Sequence, residues 1–428
     1  LGNPPYGGAR KQTKQQKADL SVIFDKIKKY KNLDYIACWF LKASQYIYNN
    51  QSQAAFVSTN SIIQGEQVSL LWPHIFSLQL EIGFAYQSFK WTNNARGNAG
   101  VMVVVVCIRT ISSKPKFLFN GSIERSVKNI TPYLAAGKNT VVYQRRNKNL
   151  SLLPKMNFGN MPNDGGHLLF GQEEFSELIS IYPESRDFVR RFIGTTEFIN
   201  GSKRFCLWIS DTDLQIVRHI SPIHERIEKV RGHRLSSPDS GTNRLAERPH
   251  QFRDLNVPKN STLVIPGVCA ERREYIPVGF VGTDTVVSNL ANAIYDPPAH
   301  IFAIISSRIH VIWVFAVGGR MKVDPRYSSA ICYNTFPFPN INAAKKEILE
   351  EHVFAVLEER EAHPEKTLAQ LYDPDKMPDG LRAAHHAMDL AVEQCYRSKP
   401  FGSDEERLEY LFKLYEEMIE KEKAGEKK

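Results

Sequence analysis

Cysteine is scarce and scattered: six residues (Cys38, Cys107, Cys206, Cys269, Cys332 and Cys395) in a chain of 428. No two of them form a C-x-x-C pair. That spacing argues against a zinc site or a disulfide framework and predicts free thiols in a reducing cytoplasm. Internal repeats are absent, and so is an uncharged apolar run of membrane-spanning length. The most apolar long stretch, HIFAIISSRIHVIWVFAVGG from His300, carries Arg308 and His310, so it is expected to be a buried helix rather than a span. The first residue is Leu1, not Met, with no signal peptide after it. The expectation is a portion of a longer gene product with no membrane partner and no metal site.

What is present is an ordinary globular composition, 42% hydrophobic and 24% charged, with an uneven charge. Residues 342–428 carry 14 Lys and Arg against 21 Asp and Glu, while the first 341 residues hold 41 against 25. A basic body of net +16 beside an acidic end points to a polyanionic partner for the body; a merely basic soluble enzyme is the plainer reading.

Hydrophobic periodicity divides the chain. Leu33–Tyr48 has helical spacing, Ala54–Ile62 reads as a buried strand, Ile82–Trp91 alternates, and VMVVVVCI (Val101–Ile108) has the composition of a strand covered on both faces. Loop, helix, strand and strand pair make the second half of an open α/β sheet. From about Lys114 to Asn340, short β-like runs (VVYQ at Val141, LVIPGV at Leu263) alternate with Gly/Asn/Pro turns and basic clusters, an α+β pattern. From Ala343 onward the apolar period is helical.

The opening stretch LGNPPYGG carries the most specific chemistry. Methyl transfer to a planar amine is slow because the nitrogen lone pair is delocalised. Two acceptors on its two N–H bonds pull that nitrogen toward a tetrahedral shape. The Asn3 side-chain oxygen and the Pro4 carbonyl can supply them. Pro4 and Pro5 stiffen the backbone and add no competing N–H. Tyr6 can stack on a flat substrate, and Gly7 and Gly8 permit close approach.

NPPY is the catalytic motif of S-adenosylmethionine-dependent amino-methyltransferases. The chain further resembles the MmeI-like type IIL restriction–modification proteins in AAFVSTNSIIQGEQVSLLW, FKWTNNARGNA, FGNMPNDGG, RFCLWISD, ERREYIP, GGRMKVDPRYSSAICYNTFPFP and LAQLYDPDKMPDGLRAAH. The resemblance implies a multidomain α/β and α+β protein. Residues 1–113 would be the C-terminal half of a Rossmann-like methyltransferase domain, 114–341 a target-recognition domain, and 342–428 a helical C-terminal domain. It implies site-specific DNA adenine-N6 methylation with base flipping on double-stranded DNA. Two departures follow: neither the family's glycine-rich D-P-A-C-G-S-G loop nor its nuclease motif is found. Most of the S-adenosylmethionine contacts, the other methyltransferase half and the nuclease are therefore expected upstream in the same gene product. The chain alone is expected to bind the cofactor weakly or not at all.

By the same resemblance Asn3, Pro4, Pro5 and Tyr6 form the catalytic loop, and Asp34 and Tyr35 open the helix that flanks the cofactor's adenine. A helix cap and a core aromatic explain Asp34 and Tyr35 equally well. Ser58, Thr59 and Asn60 end a strand beside the expected cleft, or cap the helix that follows. Trp91 and Arg96 lie near the expected entry of a flipped base, although Trp91 also fits a core position. MPNDGG (Met161–Gly166) approaches phosphate or simply turns, and RFCLW (Arg204–Trp208) is a structural strand. Arg272 and Arg273 clamp phosphates or form surface ion pairs. Lys322, Asp324 and Arg326 alternate, so an extended backbone points all three to one side, where Lys faces guanine O6/N7 and Asp the cytosine amino group. A surface salt bridge is the alternative there. Two other functions remain open: a DNA-specificity module without its own catalysis, and a methyltransferase acting on RNA or protein glutamine.

Overall fold

A computed structural model describes residues 5–25, 27–50, 52–91, 101–321 and 323–425. Asn3, Pro4, Arg96 and Lys322 therefore lie outside the described residues. The chain divides into two compact units: residues 1–152, 309–340 and 396–428 form the first, and 153–308 with 341–395 the second.

In the first unit, α1 (Lys14–Ile23), α2 (Ala37–Asn50) and α3 (Gly65–Phe76) accompany a five-stranded sheet. Its strands are β1 (Gln53–Thr59), β2 (Leu80–Trp91), β3 (Val101–Thr110), β4 (Lys116–Asn120) and β5 (Ile123–Val127), in the order β1-β3-β2-β4-β5. The valine run of β3 lies between β1 and β2, antiparallel to both, and Val103, Val104, Val106, Cys107 and Ile108 are buried, as its composition predicts. Phe40 of α2 meets Phe56 of β1 at 5.0 Å and Trp72 of α3 at 6.1 Å, so the two helices share one face of the sheet. Buried Glu81 pairs with Arg109 at 2.9 Å and Lys116 at 2.8 Å, which ties β2, β3 and β4 together.

The helix Arg308–Val317 and the helix Asp404–Gly425 also belong here. Trp313 packs on Phe412 and Tyr415 at 5.6 and 5.8 Å, and Tyr133 stacks on Phe412 at 5.2 Å. These aromatic contacts bring the C-terminal helix into the first unit.

The second unit holds two four-stranded sheets. One runs Gly279–Val281, Thr262–Pro266, Ala291–Tyr295, Asn157–Phe158; the other runs Thr285–Val287, Val189–Ile193, Arg204–Leu207, Leu169–Gly171. Phe170, Phe192, Leu207, Ile223, Ile227 and Phe252 form its larger core around the helix Ser221–Leu235.

Two sequence expectations change. VVYQ at Val141 is irregular rather than a strand. The apolar stretch from His300 is two buried helices, His300–Ser306 and Arg308–Val317, instead of one. At the break Ser306 and Ser307 turn their hydroxyls back onto the carbonyls of Phe302 and Ile304, and Ser307 is extended. No single helix among the described residues is long and apolar enough to cross a membrane.

Candidate active site

The loop leading out of the NPPY motif is fixed from three directions. The Tyr35 backbone N–H donates to the Gly7 carbonyl at 2.9 Å. Buried Gln12 donates to the same carbonyl at 3.1 Å and to Leu33 O at 2.9 Å. The Tyr6 hydroxyl donates to Val57 O on β1 at 3.2 Å. Pro5 is exposed and Tyr6 is 42% exposed, so its side chain is accessible from solvent. Neither Gly7 nor Gly8 has a positive φ, and a Cβ at either would meet its neighbours at an ordinary 3.6–3.7 Å. The described contacts therefore do not demand glycine there; a closely approaching substrate would.

Asp34 and Tyr35 both brace this loop. The Asp34 carboxylate accepts from Ser61 Oγ at 2.5 Å and from the Ala9 backbone N–H, joining the loop to the end of β1. Burial raises its pKa above the usual carboxylate value. Tyr35 donates to Asp19 at 2.6 Å, a bond that, with burial, pushes the phenol up to about 12. Thr59 shares a hydrogen bond with Ser61 at 2.9 Å, and Ser58 turns its hydroxyl to Thr59 O. Asn60 is buried with no partner for its Nδ2. Gln12, Asp19, Ser61 and Gln67, which accepts from the Asp34 N–H at 2.9 Å, escape sequence reasoning because each acts through a partner distant along the chain. Trp91, at the end of β2, is 47% exposed and not core.

Beside the loop lies a cavity of about 680 Å³ walled by Asp19, Tyr35, Cys38, Trp39, Tyr46 and Phe56 among others. Aromatic walls with one carboxylate suit a planar, nitrogen-bearing ring.

Residues 1–120 match the MmeI DNA-methyltransferase domain, 136–340 the MmeI target recognition domain, and 341–421 the MmeI C-terminal domain. The chain belongs to the MmeI-like type IIL restriction–modification family. It is 48% identical over 422 residues to DNA methyltransferase A of Bacillus subtilis (strain 168), a match covering 98% of this chain and 48% of that protein. The solved structure of the type IIL restriction–modification enzyme MmeI in complex with DNA superposes with a TM-score of 0.89 at 40% identity, over 98% of this chain and 57% of that one. The chain thus spans about half the length of the curated relative it matches.

The recognition candidates of this MmeI-like chain are dispersed. Arg272 forms an exposed ion pair with Asp375, while the Arg273 backbone closes a turn on Ala270. Gly319–Met321 pairs antiparallel with Asp324–Arg326, Met321 opposite Asp324, so Met321 and Asp324 stand on facing arms, while Lys322 lies outside the described residues. Asp324 and Arg326 keep their alternation on the second arm, and Arg326 is exposed. The hairpin starts beside α3, where a Cβ on Gly65 (φ +54°) would lie 3.5 Å from the Gly319 backbone. MPNDGG is a braced turn: buried Asp164 accepts from the N–H groups of Gly166 and Leu168, and fully buried Arg234 donates to Pro162 O and Asn163 O. Arg204–Leu207 is a strand of the second unit.

Proposed function

We propose that this chain is the methyl-transferring and sequence-reading portion of a site-specific DNA adenine-N6 methyltransferase that uses S-adenosylmethionine and acts in the cytoplasm. The observation that carries this reading is the Pro5–Gly8 loop, pinned by Tyr35, Gln12 and Tyr6 beside an aromatic cavity, in a member of the MmeI-like family. S-adenosylmethionine, when bound, supplies an electrophilic methyl group. Tyr35, Trp39 and Phe56 would hold its adenine, with the remaining contacts outside this chain.

The chain's own residues prepare the nucleophile. A flipped adenine would stack on exposed Tyr6 while Asn3 and the Pro4 carbonyl accept its two N6–H bonds. The N6 lone pair, freed from the ring, would form the new bond to the methyl carbon as the carbon–sulfur bond breaks with its electron pair left on sulfur, and one N6 proton would then leave to water. Asp34 and Gln12 act at one remove by holding the loop. The basic body favours DNA over a small protein substrate.

Asn3→Ala in the full-length protein is expected to lower methylation by ~10²-fold or more while DNA binding persists. Tritiated-methyl transfer run beside a gel shift tests this, and unchanged transfer would sink the reading.

A further inference from the structure

A cluster of exposed cations lies in the first unit, at the sheet edge opposite the strand that the catalytic loop meets. β5 is the terminal strand of its sheet, with Arg125 exposed on it. The chain then folds into a short hairpin closed by the Ile130–Ala136 bridge, with exposed Lys128 and Lys138 on its two arms. Internal bonds hold this hairpin. Asn129 donates to Gly137 O and to Asn139 Oδ1, both at 2.8 Å, and the Thr131 hydroxyl accepts from the Tyr133 and Ala135 N–H groups. Lys116 is committed to Glu81 and to Lys128 O. The C-terminal helix backs the segment through Thr140–Glu416 at 2.6 Å and the Tyr133–Phe412 stack.

Between these parts is a cavity of about 670 Å³ lined by Arg125, Lys128 and Lys138, with Ser126, Asn139 and a single carboxylate, Glu409. Among the described residues none of the three cationic side chains has an ion-pair or hydrogen-bond partner.

We propose that this cavity binds the sugar–phosphate backbone of duplex DNA, as a sequence-independent grip separate from the base-reading hairpin. Three unpaired cations with a hydroxyl and an amide are a donor set for phosphate oxygens. Among the described residues no aromatic side chain lines the cavity to stack on a base, which suits backbone rather than a nucleotide. Its volume is many times that of a phosphate ion, which suits a run of backbone. Glu409 weakens the grip from within, because its charge opposes the ligand's. The proposal rests on the reading that the chain acts on DNA.

The test uses fluorescence anisotropy with the full-length protein on duplexes with and without its methylation site, across a salt series. Arg125→Gln/Lys128→Gln/Lys138→Gln together are expected to raise Kd ~10-fold or more at low salt, equally on both duplexes. The slope of log K against log salt should flatten by about two to three. Glu409→Gln lowers Kd, and Lys421→Gln/Lys423→Gln, which change the same helix away from the cavity, leave it unchanged. A triple variant that binds and methylates like wild type overturns this site while leaving the methyltransferase reading intact. A loss confined to the specific duplex also overturns it, as does loss of pyrophosphate binding by calorimetry with DNA affinity unchanged. The last result would assign the cavity to free anions.

Discussion

At the scale of single residues, Arg234 shows how a motif that looks like a ligand site serves the fold. Its guanidinium is fully buried without a carboxylate partner and donates to five carbonyls: Pro162, Asn163, Leu245, Arg248 and Gln251. Burial pulls its pKa down to about 10, so it stays charged at neutral pH. Lysine has three donors in place of five and no planar fork. Arg234→Lys is therefore expected to destabilise the second unit by about 2 kcal/mol or more, from carbonyls left unsatisfied. Urea unfolding gives the figure, and an unchanged midpoint would mean that the carbonyl cage contributes nothing. Glu81 makes the parallel case in the first unit. Its removal leaves Arg109 and Lys116 nearly buried and unpaired, so Glu81→Ala is expected to cost about 3–5 kcal/mol. A loss below 1 kcal/mol in the same experiment would contradict that assignment.

Among elements, the C-terminal helix and the hairpin of Gly319–Met321 and Asp324–Arg326 invite separate experiments. Glu422, on the helix Asp404–Gly425, takes two hydrogen bonds from Arg145 at 2.7 and 2.8 Å and an ion pair from Lys148 at 2.9 Å. The Arg145 bonds hold its pKa down at about 2. A folded pKa below the unfolded one stabilises above the unfolded value, near 4.5, and that stability is lost as pH falls toward about 2. Thermal melts should show Glu422→Gln less stable than wild type at pH 7, with the gap closing as pH falls from about 4.5 to about 2; a constant gap contradicts the linkage. For the hairpin, the Lys322 and Asp324 chemistry predicts a G·C pair at one target position, each contact worth ~1–3 kcal/mol of discrimination. Lys322→Glu with Asp324→Arg is expected to reverse that position to C·G. Sequencing of methylated sites from both proteins decides, and an identical motif would reduce the pair to surface charge.

These elements also mark where sequence reasoning stops. The valine run of β3 and the helix over Leu33–Tyr48 were legible because burial on both faces or on one stripe leaves a local pattern. VVYQ was misread as a strand. What holds it is the Tyr143 N–H bonded to the Tyr415 hydroxyl, a contact across 272 residues that no local window contains. The alternation of Asp324 and Arg326 was visible, but the pairing of their strand with Gly319–Met321 was not, since no Gly or Asn follows Met321 to signal a reversal. Pro5 and Tyr6 announced the loop; Gln12 and Ser61, which hold it and its bracing carboxylate, did not.

For the whole molecule, the distribution of charge and the order of domains fit the proposed reading, in which a basic body would hold DNA and the catalytic loop would mark one base. The central claim is that the marked base is adenine, at N6. Single-molecule sequencing of DNA exposed to the full-length protein and S-adenosylmethionine tests it directly, with Asn3→Ala as the control. The account predicts N6-methyladenine at a single recurring motif that contains a G·C pair read by the hairpin, and none from the variant. Methylcytosine at that motif, or DNA left unmodified by the wild-type protein, would contradict it.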